Sequence, residues 1–423
     1  DKVGRLVVKA RADYRTEYAY PRGELVIRHI GQQAYREALA AQREPDYQLL
    51  HFTFDRAGQL TGERNHQGEY RYGYDALGNP DTVSYPDGST LRHFRYGSGH
   101  LLQSAFTYNG QSHTLAEYHR DSLHREVSRT LGALTEVTEY DALGRITAKL
   151  CRVSAGGSQA HHKIARRWQY NRRNQLVRMT LTPGQGDGMP DDGRVRVVDY
   201  HYDEAGQVLA RYTGVEPEVF RYDAAGNLLN NAPFAWNNQL GQAGHYRYDY
   251  DEFGRLQRRT SLLNGQVQHY HYDSDSRVTA VDFVRHREYR QVRYAYDALG
   301  RRTAKTLSFA SPFEKDRQTV FHWQGMRVCG EQSEGQPVSY HFYHEGSYTP
   351  LARFDSAETE GAPGNLWFVH AEANGMPVLL TGQDGGTVWQ PLQSGLFGKI
   401  TREESRLSPW VAKQNLRFAG QYY

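Results

Sequence analysis

The chain has 423 residues, 51 basic and 48 acidic, for a net charge of +3 and a mean hydropathy of −0.78. That balance excludes an electrostatic case for nucleic-acid binding, and no run approaches the roughly 18 apolar residues of a membrane helix. Disorder is also disfavoured, because aromatics reach 13% and Tyr numbers 31, a composition that suits strands apolar on one side and wet on the other.

One short motif returns along the whole chain. It opens as Asp1-Lys2-Val3-Gly4-Arg5-Leu6, a copy lacking its leading Tyr. The run Gln33–Gln42 is rich in helix formers and ends before Pro45, which predicts a helical insertion. Phe54-Asp55-Arg56-Ala57-Gly58 is a looser copy, and Tyr74-Asp75-Ala76-Leu77-Gly78-Asn79 a full one. Full copies recur at Tyr140–Arg145, Tyr202–Gln207, Tyr222–Asn227, Tyr250–Arg255 and Tyr296–Arg301. Tyr170–Asn174 and Tyr272–Arg277 are variants with Asn174 or Ser276 where the others have Gly.

The chemistry of one copy is readable. Asp opens a tight turn by accepting backbone N–H groups a few residues on. Gly sits three residues later, where positive φ is needed. Asn174 suits that position; Ser276 suits it poorly and predicts a distorted turn. A polar and then an apolar residue start the returning strand, as in Arg145-Ile146, Asn227-Leu228 and Arg255-Leu256. Period-two alternation before the Asp, as in His269-Tyr270-His271-Tyr272, marks a strand. The reading is therefore all-β: an array of hairpins whose repeat Tyr rings are expected to stack on neighbouring strands. With so few large aliphatics the array is expected to curl into a hollow shell rather than fill a solid core.

Candidate chemistry is sparse. Paired carboxylates run glycosidases, but each repeat Asp occupies the same turn position, which favours turn caps. His161 and His162 are adjacent and point to opposite strand faces; His269 and His271 share a face but have no third ligand. The stretch Pro183–Gly193 has Gly and Asp but neither a phosphate-loop ending nor calcium-loop spacing, so it reads as a surface loop. The pairs Arg166-Arg167, Arg258-Arg259 and Arg301-Arg302 are dispersed and make no single basic patch. Cys151 and Cys329 lack metal spacing and have no His close in sequence, so buried thiols are expected. No catalytic, cofactor or metal residue is assigned.

The repeats resemble the YD-repeat (Rhs) family, and longer segments carry the same likeness. These are Arg43–Tyr47, Tyr118–Glu126, Trp323–Arg327, Tyr348–Arg353, His370–Pro377 with Glu372 in place of an Asp, and Asn415–Tyr423. The resemblance implies a β-cocoon, with residues 1–310 as the YD-repeat shell and 311–423 as the C-terminal part of its core. It implies a structural wall, not an enzyme, enclosing a C-terminal toxin domain for interbacterial competition. The implied partners are that toxin domain, its immunity protein, VgrG/PAAR-type secretion spike proteins and an effector chaperone. Type VI export from the bacterial cytoplasm is the implied route. The family's self-cleaving carboxylates are expected beyond Tyr423, and the start at Asp1 is expected to mark a fragment or a processing product. The alternative is a carbohydrate- or cell-surface-binding adhesion module, as YD repeats serve in animal proteins.

Overall fold

The computed structural model describes residues 1–97, 99–153, 162–184, 195–214, 216–229, 237–357, 359, 362–408 and 413–423. Its strands fall into an 18-stranded and a 15-stranded sheet, paired antiparallel. The described helix is Gln32–Ala40, close to the predicted insertion. It interrupts the connection between strands Glu24–Gly31 and Gln48–Phe54 and buries Ala38. Most of the loop at 183–193 and the paired side chains of His161 and His162 lie outside the described residues.

The chain divides into two compact units. The first comprises residues 1–74, 82–89 and 222–335. One of its meanders runs Tyr14–Ala19, Glu24–Gly31, Gln48–Phe54, Leu60–Asn65; another runs from Tyr246–Tyr250 to Arg327–Ser333. Ile27, Leu50 and Phe52 form a core cluster, and Ala298 from a repeat turn packs against it.

The second unit comprises residues 75–81, 90–221 and 336–423. Its strands include the meander Glu126–Leu131, Leu134–Tyr140, Ile146–Val153, His162–Tyr170, Leu176–Pro183 and the series Ser339–Tyr343, Pro350–Asp355, Asn365–Ala371, Pro377–Thr381. Phe106 packs among Tyr340, Phe342 and Phe354. Leu134, Cys151, Ile164 and Leu379 form a further core cluster.

Burial follows the alternation. Leu134, Glu136 and Thr138 are buried while Thr135 and Val137 are less so. The same face therefore carries apolar and charged side chains, and the interior of each unit is partly polar. Cys151 and Cys329 are buried free thiols.

Candidate functional site: the repeat turn and its coupling

Each repeat turn closes in the same way. In the copy at 141, the Asp141 amide donates to the Arg145 carbonyl and the Gly144 amide to the Asp141 carbonyl, both at 2.9 Å. The carboxylate Oδ1 accepts from the Leu143 and Arg145 amides, both at 2.9 Å. Gly144 lies at φ +78°. A bulge follows, because Glu139 pairs with Ala148 but Tyr140 pairs with Ile146. This extra residue on the returning strand is the device that lets a five-residue turn meet an antiparallel ladder.

The variants keep this geometry. Asn174 and Ser276 both lie at φ +62°. The expectation of a distorted turn at Ser276 is not met: Asp273 accepts from Asp275 and Arg277 at 2.9 Å, and the Ser276 amide reaches the Asp273 carbonyl at 3.0 Å. The five hydrogen bonds of the turn outweigh the left-handed cost of one Ser. The segment at 121 proves to be another copy, with His124 at φ +61° and Asp121 accepting from Leu123 and Arg125. The His hid it from a search for Gly.

A Gly144→Ala change isolates the backbone cost, since an added Cβ would meet nothing within 4 Å. It should destabilise by about 1 kcal/mol from positive φ alone, whereas Asn174→Gly should be near neutral. Urea midpoints of the two variants measure the difference.

The repeat Tyr does a different job from the expected ring-on-ring stacking. Its hydroxyl donates to a backbone carbonyl of the preceding copy, always two residues past the positive-φ position. Tyr20 reaches Leu6, Tyr74 Leu60, Tyr140 Glu126 and Tyr170 Ile146, at 2.7 to 2.9 Å. Tyr202 reaches Leu176, Tyr272 Leu256 and Tyr296 Val278, at 2.6 to 2.8 Å. Trp323 takes the same place, its indole N–H donating to the Arg302 carbonyl at 2.8 Å.

The residue after the Gly completes the coupling. Arg145 Nε donates to Asp141 Oδ2 at 2.6 Å, and its guanidinium lies 4.7 Å from the Tyr170 ring centroid. The pattern repeats for Arg5 on Tyr20, Arg125 on Tyr140, Arg255 on Tyr272 and Arg277 on Tyr296. Asp holds Arg, Arg faces the next Tyr, and that Tyr bonds back to the turn it came from. Arg145 Nη1 also reaches Asn174 Oδ1 of the next turn at 2.8 Å. Each hairpin is thus fastened to its neighbour by a charge-assisted bond, a cation–π contact and a hydroxyl bond. The signal for this was in the sequence as the recurrent Arg after Gly.

Partial burial opposes ionisation of Asp141, but the hydrogen bonds from Arg145 outweigh it and hold the carboxyl below the usual range. Such a carboxylate caps a turn and is no general acid at neutral pH. Tyr170→Phe keeps the ring and removes only the hydroxyl bond. It should cost about 1 kcal/mol and raise hydrogen exchange on both sides of the 146–170 hairpin.

The histidines on one strand face do not converge. His271 Nε2 pairs with Asp282 Oδ2 at 2.6 Å, whose other oxygen accepts from Gln291 at 2.7 Å. Burial pushes the Cys151 and Cys329 thiols each up to about 12. Cys151 has a spatial neighbour that sequence proximity missed, His370 Nδ1 at 3.9 Å, but a thiol so raised is no nucleophile.

Charged side chains meet inside each unit. In the second, Arg129 and Glu136 are direct cross-strand partners. Glu136, 1% exposed, accepts from Arg129 at 2.7 Å and from Arg166 at 3.0 Å. Lys149 lies at 3.6 Å and His370 at 3.5 Å. Burial alone would raise the Glu136 carboxyl, but Arg129 and then Lys149 hold it well below the ordinary range. Arg166 also donates to the Ala371 carbonyl at 2.8 Å, with Glu372 at 3.8 Å. In the first unit, Arg301 bonds Asp297 at 2.6 Å and Glu63 at 2.5 Å, both buried. Glu63 also accepts from Tyr72 at 3.2 Å and the Gly325 amide at 3.1 Å. The Tyr348–Arg353 segment leads into a third cluster. There Asp355 accepts from Arg353, Ser339 and Trp367.

These features define a repeat protein of coupled antiparallel hairpins built on a Tyr-Asp turn. The family model for the teneurin YD-shell matches residues 190–311, and the model for the RHS repeat matches residues 54–90. The chain is 31% identical to double-stranded DNA deaminase toxin A of Burkholderia cenocepacia, over 100% of this chain and 30% of that protein. It is 25% identical to toxin protein Tse5 of Pseudomonas aeruginosa, over 88% of this chain and 32% of that protein. Among solved structures, TcdB2-TccC3 without its hypervariable C-terminal region aligns over 97% of this chain and 27% of that one, at 12% identity and a TM-score of 0.43. The chain belongs to the YD-repeat (Rhs) family, and it spans about a third of the length of the toxins it matches.

Proposed function

We propose that this chain is part of the wall of a hollow β-shell that encloses a toxin domain and delivers it to competing bacteria. The observation that carries the reading is the coupling of hairpin to hairpin by the same Asp–Arg–Tyr contacts, which lets a sheet grow by repetition with little apolar core. The relatives named as toxins support it, because most of their length lies outside the matched part. The toxic activity would reside there. In this reading the wall is structural, and the enclosed domain, an immunity protein, a chaperone and spike proteins of a type VI apparatus are the partners. The protein is held in the producing cell before export.

The test uses the full-length parent protein. Limited proteolysis and electron cryo-microscopy should find the toxin domain inside the shell and protected until the wall is denatured. A toxin domain outside a solid, filled sheet and cleaved at the free-domain rate would overturn the proposal.

A further inference from the structure

We propose that the Glu136 cluster is a proton-operated latch: protonating His344 and His370 parts strands Glu126–Leu131 and Leu134–Tyr140 from the segments that carry those histidines. His344 directly follows strand Ser339–Tyr343, and His370 lies in strand Asn365–Ala371. The latch belongs to the second unit alone and does not depend on what the wall encloses.

The position of Arg129 opposes a proton on His344, a half-buried ring. Arg129 Nη1 lies 2.6 Å from His344 Nε2 and 3.3 Å from its Nδ1, and Arg129 is 2% exposed. A guanidinium carries a fixed charge and only donates, so the neutral imidazole is the form it favours. A proton there would set N–H against N–H and one cation against another. Lys149 and Glu136 are the other charged groups facing this ring.

His370 is fully buried. Its Nε2 lies 3.0 Å from Thr381 Oγ1, and its Nδ1 faces Glu136 Oε2 at 3.5 Å and Cys151 Sγ at 3.9 Å. Arg166 and Arg129 are the further charges around it. Glu136 is already shared by both arginines, so little of its charge is left to offset an imidazolium.

The charge balance agrees. Arg129, Arg166 and Lys149 are matched by three carboxylates: Glu136 lies within ion-pair distance of all three, Glu126 of Arg129 and Glu372 of Arg166. With both histidines neutral the cluster is neutral; an added proton is an uncompensated buried charge at His370 and, at half-buried His344, a second cation against Arg129. Burial comes first and Arg129 second in pushing His344 well below its ordinary range; burial also lowers His370. A histidine depressed in the folded state gives stability that is full above its unfolded value, about 6.5, and shrinks as pH falls below it.

The test is hydrogen exchange of the whole chain between pH 7.5 and 5.0, corrected for the intrinsic rate. Peptides covering 126–153 and 339–381 should lose about tenfold protection per pH unit below about pH 6 for each histidine that must charge. Repeat turns away from the cluster should hold, because their carboxylates titrate below that window. In the His344→Gln/His370→Gln double variant the acid response should vanish while protection at pH 7.5 remains. Unchanged protection of the wild type at pH 5.0, or an equal acid response in the double variant, would overturn the latch. Should that variant fail to fold, imidazole NMR titration of the wild type decides. Both rings staying neutral to pH 5.5 supports the latch, and ordinary titration near 6.5 refutes it.

Discussion

Replacing Glu136 with Gln is expected to lower the stability of the second unit by about 3–5 kcal/mol. The carboxylate is 1% exposed and is the shared acceptor of Arg129 and Arg166, themselves 2% and 0% exposed. Gln keeps the shape and one acceptor oxygen but removes the charge. Two guanidiniums and Lys149 would then share the interior with only Glu126, 3.6 Å from Arg129, and Glu372, 3.8 Å from Arg166, to offset them. The loss should appear in urea unfolding and as hydrogen exchange in strands Glu126–Leu131 and Leu134–Tyr140. A cost under 1 kcal/mol would mean that solvent already reaches the cluster.

The second large effect is expected at Arg301. Arg301→Met leaves Glu63 and Asp297 buried without their cation, each 1% exposed or less. It also removes the donor to the Gly325 carbonyl at 2.8 Å. The expected cost is again about 3–5 kcal/mol, confined to the first unit. Arg145→Met supplies the comparison. That Arg occupies the same place in its repeat but is 27% exposed at the side chain, so its loss should cost about 1 kcal/mol or less. Equal costs at the two positions would show that the motif, and not burial, sets the energetics.

The contrast between Arg301 and Arg145 marks how far the sequence could be read. Both follow Gly in a Tyr-Asp turn, and nothing local distinguishes them. Most of the turn was legible, with Asp as its cap and Gly or Asn174 at its bend, whereas the undistorted Ser276 turn, the copy hidden by His124 and the bulge came only from the structure. The Tyr was recognised as inter-strand glue, but its means of attachment was not. Stacking rings were expected, whereas the hydroxyl reaches back to the preceding turn and the ring meets an Arg. Both contacts need the offset between neighbouring hairpins, which spacing alone does not give. The family was also legible, because the repeats and the longer segments occur together and in order.

The buried clusters were not legible. Alternation places Glu136 and Arg166 on an inward face, yet an inward charge reads as an exception until its partner is found. Glu63 meets Arg301, Arg129 meets His344 and Glu136 meets His370 across more than two hundred residues each. Sequence by itself determined the turns, the strand alternation and the all-β hairpin array, because these depend on contacts within a few residues. Which inward-facing charges compensate one another was decided only by tertiary structure. Period-two alternation names the face a side chain points to but not the strand it will face, and a charge can stay buried only where that strand brings its opposite.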